Sequence, residues 1–190
     1  MKKTIGIGLA LTVLASASFA MEINGGKLLS HKEWTTKNVT GSVKETLHTQ
    51  KKGLFNKNNK MTDMGYDGIY VEDRLVDVPN GVVGNSVSAY GYTGVDIANF
   101  TQTQQIYSIV NSFCSESEQD NLDPECVYSE DKVMVDPGGF LSIARLPTLL
   151  KTYDKAGTYN TFLVTRIKKE NQTTIYASGV EGIIKIEDKS

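Results

Sequence analysis

Only two cysteines occur in the chain, Cys114 and Cys126. In an oxidising compartment two cysteines are most simply paired with each other. A bridge there forces the segments on either side to fold as neighbours. In the entropic account, so short a loop restricts the unfolded chain by about 3 kcal/mol. Residues 115–125 between them include five acidic residues and no basic one. Two readings of this loop stand. It is a solvated acidic loop pinned at its base, or its carboxylates gather a hard cation such as calcium. The spacing does not follow the EF-hand pattern, so no metal is expected. Without a C-x-x-C the pair looks like a staple rather than a redox site.

The N-terminus agrees with an oxidising destination. Lys2 and Lys3 precede an apolar run over 5–14, and Ser18 and Ala20 fill the small positions before a cut. This is the pattern of a secretory signal peptide over 1–20, in a bacterial style. The run is too short to span a bilayer. No cysteine follows the cut, so a lipid anchor is not expected. Cleavage leaves 170 residues, 21–190, the size of one domain. The formal charge moves from −2 to −4 with the loss of the two lysines. A weakly acidic body does not suggest nucleic acid as a partner. No later stretch is apolar enough to be an integral membrane segment.

Abundant Val, Ile, Thr and Tyr with frequent Gly and Asn turns favour strands. One or two strands are expected over 23–47. Trp34, the only tryptophan, is read as a core residue, with an exposed ligand platform as the alternative. Lys51, Lys52, Lys57 and Lys60 mark a basic loop around Leu54 and Phe55. Strands over 69–76 and 82–90, joined by Pro79-Asn80-Gly81, read as a hairpin. Tyr90 and Tyr92 follow as candidate ligand-binding aromatics. One short helix is expected near 96–113, because Ile106, Ile109, Val110 and Phe113 recur at helical spacing. A strand through 105–110 is the competitor. The second half reads as strands over 127–135, 140–146, 159–168, 173–177 and 182–186. A turn is expected at 136–139, and a bulge or kink at Gly179 or Gly182. Over 159–168 both parities are apolar, as in a strand covered on both faces. The expected fold is mainly β, an antiparallel sandwich or barrel-like sheet.

Catalytic signatures are missing. There is no HExxH, G-x-S-x-G, P-loop or dinucleotide fingerprint. His31 and His48 are the only histidines. No cofactor is expected. The residual route to hydrolysis is a carboxylate pair: on a regular strand Asp73 and Asp77 share a face while Glu72 points away. The alternative is that these are solvent-facing side chains. Sequons at Asn38, Asn99 and Asn171 are read as accidental under a bacterial signal. Exported pilus subunits share small size, strands and a disulfide, but residues 183–190 carry no C-terminal tyrosine motif.

Export, a β-rich body and the missing chemistry together point to a non-enzymatic binding or interaction protein. It would be periplasmic, secreted or at the cell surface, of adhesion, colonisation or virulence type, with a protein or glycan partner. The alternatives are a small secreted glycan hydrolase and an exported inhibitor or assembly factor.

Overall fold

The computed structural model describes residues 18–36, 68–117 and 125–190. The expected strand at 39–47, the basic loop, His48 and most of the acidic loop lie outside them. The described residues form nine strands: β1 (Ser18–Thr36), β2 (Ile69–Asp77), β3 (Gly81–Val82), β4 (Ser86–Ala98), β5 (Gln105–Ser117), β6 (Glu125–Leu146), β7 (Thr148–Thr152), β8 (Gly157–Lys169) and β9 (Ile175–Glu187). They make one curled sheet in the order β2-β4-β6-β5-β8-β9-β3, with β1 added to β6 and β7 to β4. Every pairing is antiparallel except β3 with β9. The mainly β expectation holds.

The long strand β6 turns the sheet's corner. Its first half pairs with β5 and its second half with β4, on one edge. Strand β1 follows the other edge through both halves. The break at 136–139, expected as a turn between two strands, is therefore a corner within one continuing strand. Glycine makes it possible: Gly138 has φ 73°, and a Cβ on Gly139 would lie 2.4 Å from the Gly25 carbonyl oxygen. Asn99 fastens the corner from the β4–β5 connection. Its backbone exchanges hydrogen bonds with Gly138 and Gly139, and its side-chain amide donates to the carbonyls of Val135 and Thr103 at 2.9 Å. That amide is buried and spent, so the sequon at Asn99 has no free acceptor for a glycan.

The helix expected near 96–113 does not form. Residues 96–98 end β4, and β5 begins at Gln105. Tyr107, Ile109 and Phe113 instead alternate onto the inner face, where they are buried. The hairpin expected at 79–81 is also wider than its sequence suggests. The chain leaves β2, pairs briefly with β9 through β3, and returns as β4 from Ser86. The expected bulge in β9 is missing, since β8 and β9 keep one register throughout. Gly182 serves cross-sheet packing: a Cβ there would lie 2.4 Å from Leu75 Cδ1. The double-sided reading of β8 holds, with Phe162 and Val164 buried on one face and Leu163 and Ile167 on the other.

Inside the curl lie two apolar clusters. One gathers Ile69, Val95, Ile97, Tyr107, Ile109, Val133, Leu141 and Ile167. The other gathers Val87, Ala89, Phe113, Leu149, Leu163 and Ile184. On β2, β4, β5 and β8 the residue between the two clusters is polar: Asp73, Thr93, Asn111 and Thr165. A buried polar belt thus divides the core.

Candidate functional site

The belt has a sealed end and an open end. At the sealed end Asp73 accepts from the hydroxyls of Thr93 (2.6 Å) and Thr165 (2.7 Å) and from the Thr165 backbone N–H (3.0 Å). Asn111 donates to both threonine hydroxyls at 2.8 Å. Ser178 accepts from the Asp73 backbone N–H. Burial pushes the Asp73 carboxyl up to about 6, although these hydrogen bonds pull it down.

At the open end β6 supplies Ser129, Asp131 and Arg145. The Arg145 guanidinium donates to Ser129 and forms an ion pair with Asp131. Asp131 is fully buried, and Arg145 is 5% exposed. Burial lowers the Arg145 guanidinium to about 10, so it stays charged at neutral pH. The pair reaches the surface through β1. His31 Nδ1 lies 2.5 Å from Asp131 and Nε2 lies 3.3 Å from Glu33. The Phe19 ring stacks on His31 and lies over the Arg145 guanidinium, 4.8 Å from it.

Aspartates 73 and 77 do not form the pair that hydrolysis would need. A bulge between Leu75 and Asp77 places Asp77 opposite the exposed Tyr90, while Asp73 points into the core. Among the described residues no group of three or more His, Cys, Asp or Glu is placed to hold a metal ion.

Tyr90 and Tyr92 both face outward on β4. Tyr90 is exposed, and the Tyr92 ring leans over Gly94, whose Cβ would lie 3.0 Å from the tyrosine hydroxyl. Beside them on β2, Arg74 Nε donates to Glu72 at 2.5 Å and the Tyr70 hydroxyl donates to Glu72 at 3.0 Å. The Arg74 contact holds the Glu72 carboxyl below its ordinary value. Arg74 and Tyr92 are directly opposite across the two strands. Trp34 lies elsewhere, on β1. It is not the core residue first expected: it is 38% exposed and stacks on Tyr128 at 5.2 Å. The edge position explains this, because among the described residues β1 pairs only with β6. Tyr128 forms a small cluster with Cys114 and Cys126. Those cysteines are joined in a disulfide and face each other across β5 and β6.

Sequence reasoning missed the belt. Inward-facing threonines and an asparagine break the period-two apolar pattern, so the only signal was an interruption.

No family model matches this chain, and no curated protein sequence matches it. Among solved structures it resembles the sporulation control protein Spo0M of Bacillus subtilis, with TM-score 0.34 and 13% identity over 63% of this chain. This chain spans 49% of the length of that one. It also resembles AggA, the major subunit of aggregative adherence fimbriae type I from Escherichia coli, with TM-score 0.22 and 9% identity over 64% of this chain and 95% of that chain. The CooA pilin subunit of enterotoxigenic Escherichia coli aligns with TM-score 0.25 and 9% identity over 62% of this chain and 98% of that chain.

Proposed function

We propose that this is an exported bacterial binding protein without catalytic activity. It acts at the cell surface in adhesion or colonisation and takes a protein or glycan partner. Export is supported by the leader pattern over 1–20 and by the Cys114–Cys126 disulfide. The observation that carries the binding reading is the outward face of β2 and β4. There the Tyr92 ring lies along the strand over Gly94, with Tyr90 exposed and the Arg74–Glu72 pair alongside. An aromatic surface flanked by fixed polar groups suits contact with a sugar ring or a protein side chain.

The test is retention of the processed protein on immobilised host-type glycans and matrix proteins. Tyr92→Ala and Tyr90→Ala should each reduce retention at least tenfold while leaving the unfolding midpoint in urea unchanged. Unchanged retention in both variants would sink the assignment. Fractionation of the source bacterium tests the location, and confinement to the periplasm would remove the surface role.

A further inference from the structure

The leader pattern and the structure meet at Phe19. Cleavage after Ala20 removes the first three residues of β1. In the structure Ser18, Phe19 and Ala20 pair with Leu146, Arg145 and Ala144 of β6. Phe19 also covers the open end of the polar belt, over Arg145 and against His31. Its removal therefore has two consequences. The β6 edge at 144–146 loses its hydrogen-bonding partner. The Arg145 guanidinium, buried at 5% exposure while Phe19 is in place, loses the ring above it. The Arg145 Nε has no hydrogen-bond partner among the described residues, so this cation keeps an unspent donor.

We infer that processing opens a binding slot here, and that its occupant is an extended peptide segment of a partner protein carrying an aromatic side chain. The occupant's chemistry is set by what the slot holds in the uncleaved chain. A short strand completes the β6 edge, and an aromatic ring sits over the Arg145 guanidinium. An incoming segment repeats both contacts, main-chain pairing for affinity and a cation–π contact for selection. Asp131 holds the guanidinium in position through the ion pair. This inference rests on the export reading and is independent of the tyrosine face.

The experiment uses the processed protein recovered from an export-competent bacterium. Intact mass reads the cleavage point. Acetyl-Ser-Phe-Ala-amide is then titrated while the amide resonances of residues 144–146 and the Arg145 Nε–H are followed by NMR. A chain starting at Met21 is expected, with saturable shifts at those positions. Acetyl-Ser-Ala-Ala-amide should bind at least tenfold more weakly. A variant whose cleavage point is moved so that Ser18 is the first residue should not respond, because its own Phe19 fills the slot. No saturable shift, equal binding of the alanine peptide, or an equal response from the longer chain would each overturn the slot while leaving export intact. A mass that retains Phe19 would overturn it differently, by showing that the slot is never vacated.

Discussion

The two ends of the buried belt hold their charge in opposite ways. Asp73 lies in the middle of the core and is held by neutral donors: two hydroxyls and a backbone N–H. Asp131 is buried more deeply still but is held by a cation, Arg145, and by a histidine at the surface. The first arrangement keeps a carboxylate only by tolerating a raised pKa. The second balances the charge and extends it to the edge strand. A neutral network closes on itself and serves the fold, whereas an ion pair at an edge can be reached by something else. The difference separates a structural buried acid from a candidate recognition site, though both look alike as isolated aspartates in the sequence.

The largest expected effect breaks the open end. Arg145→Ala leaves Asp131 buried without its cation and should cost about 3–5 kcal/mol in urea unfolding. Replacing Asp131 and Arg145 together by apolar residues should cost much less, since no charge is left stranded. If the single and double changes cost the same, the pair is not coupled as its geometry implies.

A change at the sealed end should appear as a pH dependence. The folded Asp73 carboxyl sits near 6, above its ordinary value of 3.8. Its neutral form is therefore favoured by folding. The corresponding stability is fully present below about pH 3.8 and is lost as pH rises through about 6, amounting to about 3 kcal/mol. Asp73→Asn should flatten that slope. It should also cost about 1–3 kcal/mol at acid pH, because an amide cannot accept from every donor around it. Urea midpoints across pH 3.5–7.5 check both outcomes. A slope that survives in the variant would mean that another group carries it.

The smallest expected effect is at the surface. His31→Gln removes a ring that is one third exposed and touches Asp131 and Glu33. The cost should be about 1 kcal/mol, after allowance for solvent screening. A loss as large as that of Arg145→Ala would make β1 an obligatory part of the buried pair, not a cover over it.

Much of the β character was legible from the residues. The Cys114–Cys126 bridge and the double-sided strand β8 followed from spacing and side-chain type. The failed helix has a clear cause. Asn111 interrupts the inward row of β5, so the row Tyr107, Ile109, Asn111, Phe113 does not read as apolar alternation. The helical spacing of Ile106, Ile109, Val110 and Phe113 then looked the better match. Only Thr93 and Thr165, from two other strands, make an inward Asn111 tolerable. Asp77 was misplaced for a similar reason, because parity counting cannot anticipate the bulge that turns it outward.

The sequence alone determined that this chain builds strands, that its two cysteines belong together, and that its first residues look like an export signal. Those properties depend on side-chain type and near spacing, which a single segment carries by itself. The tertiary structure decided where β6 bends, which polar residues share one belt, and that Phe19 covers Arg145. Each of these depends on partners far apart in the chain. A buried polar group is stable only where those partners meet it, and no local pattern reports that meeting.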